Sequence, residues 1–226
     1  MLDKIVSSSN NLKNTNPDLA VLLIDMQPNF INTFYMSEAR MLWNSQKEVI
    51  RHCANNNILL VDIDFSPDSS IYNHMLSKEL PKELSQVKNL IKYTKRNSNA
   101  FELPDDNNIY LKDILLSRGI DKLFLMGIYA SVCVLNSAEG AVDTFSVSTA
   151  GTVIADDHVT QKAYRNIADG SKDAKIYRGL FAEEEFFEKP YSSYANHSDF
   201  LKDRFVKRNV DYYDSHNEFI ELLKNK

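Results

Sequence analysis

Only two cysteines occur in the chain, Cys53 and Cys133, and they lie far apart in sequence. A disulfide-braced scaffold is therefore not expected, and a reducing compartment with a functional free thiol fits better. Positive charge is also scarce: the formal net charge is −5, with no long basic run and no basic amphipathic helix. Nonspecific nucleic-acid binding needs surplus Lys and Arg against the phosphates, so nucleic acid is not an expected partner. Long apolar runs are missing too. Leu123 to Leu135 is broken by Gly127 and Ser131, and it falls well short of the roughly 20 residues that span a bilayer. Met1 to Asp18 is polar, rich in Ser and Asn, and lacks the apolar stretch of a secretory signal. These absences lead to the expectation of a soluble, cytoplasmic protein without membrane association. An export route that uses no N-terminal apolar signal is compatible with the same features. The expected partner is a small molecule or another protein. No internal repeat or low-complexity tract occurs.

What is present suits a packed domain. The apolar fraction is 43%, and twelve Phe and eleven Tyr can fill a sizeable core. Short apolar runs alternate with longer helical patterns. Strands are expected at Leu19 to Ile24, Ile58 to Ile63, Asn89 to Thr94, Lys122 to Met126 and Thr152 to Ala155. Helices are expected at Ser37 to Asn55, Asn108 to Arg118 and Val132 to Thr144, with Gly119 placed to end the second in a left-handed residue. This alternation predicts an α/β fold, a three-layer α/β/α Rossmann-like architecture around a mainly parallel sheet of about six strands. The organisation expected is a polar segment at 1–18, the main domain at 19–185, and a C-terminal helical elaboration at 186–226. Within that elaboration, Pro190 to Ser198 reads as a loop and Tyr212 to Leu223 as a terminal helix.

Open parallel sheets bind ligands beyond the carboxyl ends of their strands. Asp25, Lys95 and the segment leading to Cys133 each follow an expected strand. An Asp in that position commonly caps a helix, and a loop Lys is commonly just solvated. Cys133 is more informative, because Gly127-Ile128-Tyr129-Ala130-Ser131-Val132 leads from a buried strand straight into a helix. A thiol at a helix N-terminus meets the positive end of the dipole and free N–H groups, which favour the nucleophilic thiolate and can hold an oxyanion. Cys53, mid-helix in VIRHCANNN, reads as a core residue.

Asp25-Met26-Gln27-Pro28-Asn29-Phe30 resembles the D-x-Q-x-x-F motif that opens isochorismatase-like hydrolases. Lys95 to Phe101 resembles their K-x-x-x-S-A-F segment. Gly119-Ile120-Asp121, then Leu123 to Cys133-Val134, is similar to their G-I-D-x-L-x-x-x-G and C-V block, with Ser137, Ala138 and Ala141 continuing the match. The resemblance runs from Leu19 to Asp156. It implies a catalytic set of Asp25 as general base, Lys95 as electrostatic tether and Cys133 as nucleophile, forming a thioester-like intermediate. It further implies an oxyanion hole from the N–H groups of Tyr129 and Cys133, a cis peptide at Ile128–Tyr129, and a homo-oligomer, dimer or tetramer. Gln27, Phe30, Phe65, Phe101 and Tyr129 are the candidate substrate contacts, with Phe34 and Tyr35 as further aromatic candidates.

Two departures from the family pattern shape the expectation. Nicotinamidases carry a metal site after the second strand, reading roughly D-W-H; here Asp64-Phe65-Ser66 puts Ser66 at the histidine position, and His74 has no His-x-His partner. No metal and no other cofactor is expected. Secondly, Gly127-Ile128-Tyr129-Ala130 is closer to the G-V-Y-A of true isochorismatases, vinyl-ether hydrolases with Gly where Cys133 stands. The thiol favours hydrolysis of an amide-type C–N bond, with vinyl-ether hydrolysis through Asp25 and Lys95 as the alternative. A different class is also open: Asp62-Ile63-Asp64-Phe65-Ser66 mimics the haloacid-dehalogenase-like phosphatase motif, with Asp62 as nucleophile, Asp64 as acid/base and Asp156 or Asp157 on Mg²⁺. A non-catalytic binding or scaffolding module is the remaining alternative.

Overall fold

The computed structural model describes residues 18–65, 76–168 and 191–224. The first strand, β1 (Leu19–Ile24), is an apolar run buried along its whole length, as expected of a strand covered on both faces. A short helix, α1 (Pro28–Ile31), opens on proline, whose fixed φ and missing N–H suit the first helical turn. Then comes α2 (Met36–Asn56), which buries Leu42, Trp43, Gln46, Val49, Ile50 and Cys53 along one stripe. It stops at Asn57 in a left-handed conformation, φ 54°, which Asn tolerates better than most residues. The chain continues through β2 (Leu59–Phe65), α3 (Leu76–Leu84), β3 (Leu90–Lys95), α4 (Leu111–Ser117) and β4 (Lys122–Ile128). After α4, Gly119 adopts φ 72°, and the Ile120 N–H returns to the Leu115 carbonyl at 3.1 Å, the helix stop read from the sequence.

A π-helical turn, Ala130–Val134, passes directly into α5 (Leu135–Ala141). The chain then forms β5 (Ser146–Ala155), α6 (His158–Ala168), a 3₁₀ turn (Tyr191–Ser193), α7 (His197–Val206), β6 (Asp211–Tyr213) and α8 (His216–Lys224). All neighbouring strands pair in parallel, in the order β3-β2-β1-β4-β5-β6. Helices flank both faces, so the three-layer α/β/α fold is observed. Strand order reverses between β1 and β4, and their carboxyl ends therefore flank the crevice where such sheets bind ligands.

Several expectations need correcting. The fifth strand begins at Ser146, because Ser148 and Thr149 turn their hydroxyls onto the β4 carbonyls of Leu123 and Leu125 at 3.1 and 2.7 Å. The expected loop ending at Ser198 already contains the start of α7, capped by the Asn196 side chain on the Asp199 N–H at 2.9 Å. The expected terminal helix is preceded by β6, a short strand that joins the sheet edge at Ser148 to Ala150. Cys53 is a core residue as read, 1% exposed.

Candidate active site

Asp25 follows β1 directly and adopts φ 55°, a left-handed conformation that costs a non-glycine residue about 1–2 kcal/mol. Its N–H is held by the Ile63 carbonyl of β2 at 2.9 Å. The side chain is fully buried, and Lys95 Nζ, itself 1% exposed, lies 2.8 Å from Oδ2. Lys95 ends β3, two strands away, and its long side chain reaches across β2 to close that gap. Its ammonium also donates to the Asn97 carbonyl at 3.0 Å and stands 4.9 Å from the ring centre of Phe65, its partner across β2 and β3. The Cys133 thiol interacts with both Asp25 and Lys95. The three residues read from the sequence are thus brought together from β1, β3 and the turn after β4.

Burial raises the Asp25 carboxyl above its ordinary range, against the opposing pull of Lys95. Burial, reinforced by the Asp25 charge, pushes the Cys133 thiol up to about 12. The pull of the helix dipole toward a resting thiolate is therefore outweighed: one ammonium neutralises one anion, and a second buried negative charge is strongly opposed. Asp25 is left as the group beside the thiol able to take its proton.

The turn carrying Cys133 is built by its neighbours. At Gly127, φ 143°, a Cβ would stand 2.1 Å from the Ile24 carbonyl oxygen, so only glycine lets β4 pass β1 here. The next peptide but one, Ile128–Tyr129, is cis, as the family resemblance implies. Val134 N–H then reaches back to the Tyr129 carbonyl at 3.1 Å, the wide π-type turn often found at functional sites. Tyr129 itself packs among Phe30 and Phe34, ring centres 5.9 and 6.1 Å away, and its hydroxyl bonds Thr33 at 3.0 Å. Phe30 meets Phe65 edge-on at 6.3 Å. Gln27 uses both ends of its amide on the Phe65 main chain, accepting from N–H at 2.7 Å and donating to C=O at 3.3 Å. The Phe101 ring lies 5.9 Å from that of Phe145 at the entry to β5. Tyr35 is exposed and stacks on His158.

A family model described as Isochorismatase domain matches residues 19–144, the stretch that holds Asp25, Lys95 and Cys133. The chain belongs to the isochorismatase family. Among solved structures, an isochorismatase-like hydrolase from Alkaliphilus metalliredigens superposes with a TM-score of 0.57 at 17% identity, covering 91% of this chain and 98% of that one. The nicotinamidase from Staphylococcus aureus gives 0.56 at 11% identity over 88% and 99%. N-carbamoylsarcosine amidase from Thermoplasma acidophilum gives 0.54 at 16% over 87% and 96%. At these identities the likeness is one of fold. No curated protein matches significantly in sequence.

Within this isochorismatase-family fold the acidic set of the phosphatase reading does not converge. Asp62 lies on β2, while Asp156 and Asp157 follow β5, with β1 and β4 between. Asp156 accepts the Ser131 N–H at 3.0 Å, and Asp157 caps α6 on the Thr160 N–H at 2.7 Å. Among the described residues, no three His, Cys, Asp or Glu side chains are grouped to hold a metal ion. Ser66 and His74 lie outside the described residues. No helix among the described residues is long and apolar enough to cross a membrane. The contacts of Asp156 with Ser131 and with His197, whose Nε2 is 2.9 Å away, were not read from the sequence. No local pattern marks a carboxylate whose partners stand 25 and 41 residues away.

Proposed function

We propose that the protein hydrolyses an amide-type C–N bond of a small molecule through Cys133, without a metal. The observation that carries this reading is the buried Asp25–Lys95 pair, 2.8 Å apart, in contact with a thiol at the start of a helix. Asp25 takes the thiol proton as sulfur attacks the carbonyl carbon. The N–H groups of Tyr129 and Cys133 hold the resulting oxyanion, and Lys95 keeps the pocket neutral as charge moves from sulfur to carboxylate. Collapse expels the amine with the proton from Asp25, leaving a thioester. Water, deprotonated by Asp25, then releases the acid and restores the thiol. The rings of Phe30, Phe65, Phe101 and Tyr129, with the Gln27 amide, are the proposed substrate contacts and suit a planar acyl group. A cytoplasmic homo-oligomer, dimer or tetramer, is part of this reading, with exposed Tyr35, Met36 and Met41 offering apolar surface; light scattering on the eluted protein tests it.

A second reading uses the same pair, with Asp25, whose carboxyl burial raises, delivering a proton to a vinyl ether instead of taking one from the thiol. A panel of primary amides, N-carbamoyl compounds and a vinyl ether separates the two. Under the amidase reading, Cys133→Ala and Asp25→Asn each reduce amide turnover about 10³-fold or more, and a chelator changes nothing. An acyl-enzyme mass adduct appears on Cys133. Vinyl-ether turnover that survives Cys133→Ala but not Asp25→Asn would select the second reading. Since the base form of Asp25 is lost as pH falls through its raised value, the acidic limb of amidase activity should stand above the ordinary carboxylate range.

A further inference from the structure

We propose that helix α7 is a positioning device for the nucleophile, gripping both main-chain groups of Ser131 through two side-chain relays. The inference rests on the reading of Cys133 as nucleophile. In the first relay the Ser131 N–H donates to Asp156 Oδ1 at 3.0 Å, and Asp156 Oδ2 lies 2.9 Å from His197 Nε2. His197 Nδ1 in turn meets the Tyr191 hydroxyl at 3.0 Å. One neutral tautomer satisfies the line: Tyr191 O–H donates to Nδ1, and Nε2–H donates to the carboxylate. In the second relay the Ser131 carbonyl accepts the Tyr164 hydroxyl in a long bond of 3.4 Å, and Arg204 Nη1 donates to that hydroxyl at 2.9 Å. His197 and Arg204 are seven residues apart on α7, two turns along one face.

The carboxylate of Asp156 is 2% exposed and Tyr164 1%, so these contacts are shielded from water and their geometry is well defined. Ser131 precedes Cys133 by two residues within the same π-turn. Holding its N–H and C=O fixes the pitch of that turn, and with it the direction of the Cys133 N–H and sulfur. Side chains that act this way touch no substrate. They set how closely the thiol faces Asp25.

The test measures Cys133 alkylation by iodoacetamide across pH, by peptide mapping, with buried Cys53 as the internal slow thiol. Tyr164→Phe and His197→Ala are compared with His197→Gln, which keeps a donor for Asp156, and with Lys202→Ala on the exposed side of the same helix. We expect His197→Ala to change the Cys133 rate at least fivefold and move the midpoint of its pH profile. His197→Gln should return the rate to within twofold, and Lys202→Ala should match the parent. Tyr164→Phe removes one hydroxyl and keeps the ring, so it remains informative if His197→Ala does not fold; a twofold to fivefold change is expected. Parent-like profiles in folded Tyr164→Phe and His197→Ala would overturn the relays. Failure of the nucleophile reading looks different: Cys133→Ala would then keep parent-like turnover and no acyl adduct would form on Cys133, whatever the alkylation rates of the α7 variants.

Discussion

The two halves of the sheet are held by different forces. In β1, β2 and β4, Leu, Ile, Val and Phe side chains are buried on both faces, and area removed from water dominates their stability. In β5 and β6, hydroxyls and aromatic rings take over. Ser148 and Thr149 bond back to β4. Thr152 meets His216 at the start of α8, and His216 reaches Glu48 of α2 at 3.0 Å. Asp25 and Cys133 follow strands of the apolar half and Lys95 ends β3 beside it, while the supports of the Cys133 turn belong to the polar half. A site can thus be marked by short motifs in one region while depending on scattered side chains in another.

The sharpest break in this division comes from Lys95, the cation that ends β3 and meets the site. Lys95→Met strands a buried carboxylate, a change that costs about 3–5 kcal/mol when one partner of such a pair is removed. Amide turnover should fall about 10³-fold as well. Urea denaturation reads the stability. Adding Asp25→Asn should recover most of the lost stability and none of the activity, since the orphaned charge disappears while the base is gone. If the double variant is no more stable than Lys95→Met alone, the cost is one of packing and not of charge.

In the outer half, the corresponding break separates stability from chemistry. Phe219 of α8 lies against Phe124 of β4, ring centres 3.6 Å apart, and both are buried. Phe219→Ala should cost about 3 kcal/mol through lost contact and an unfilled space. Activity per folded molecule should stay within twofold, measured below the shifted melting point. A large fall in turnover without unfolding would tie α8 to the site and blur the comparison.

The same contrast explains what is legible in the sequence. Strands β1, β2 and β4 are mainly apolar runs, Asp25 and Lys95 stand at strand ends, and Cys133 lies in the turn that leads from β4 into a helix. Gly127 and the turn after it are readable because the backbone leaves one residue type free to fit beside Ile24. The expected β5 is too short because Ser146, Ser148 and Thr149 look like a loop until their β4 acceptors are known. Likewise, β6 has three residues and no apolar pattern of its own, and α7 buries Phe200, Leu201 and Phe205 against partners distant in sequence. Non-local hydrogen bonds carry no signature in a short window. The ring partner of Phe101 escapes the sequence for a related reason: nothing in its motif position points to Phe145, which enters from beyond α5.

The smallest expected effect concerns a charge inside the apolar half that the proposed chemistry leaves unused. Asp62 lies within β2, 6% exposed, opposite Lys92 in register. Burial, helped by the neighbouring Asp64 charge, pushes its carboxyl up to about 7, with Lys92 opposing. Between the unfolded value near 3.8 and that pH, the folded chain holds a proton that the unfolded chain has already released. Stability therefore falls as pH rises through this window and stays lower above it. A shift of this size corresponds to at most about 4 kcal/mol. Asn still buries an amide, so the recoverable part is about 1–2 kcal/mol. Asp62→Asn should raise the urea midpoint at pH 8 and leave it nearly unchanged at pH 4.5, the difference between variant and parent being the quantity read. An equal difference at both pH values would show that Lys92 already compensates the charge, making β2 as polar in its stabilisation as β5.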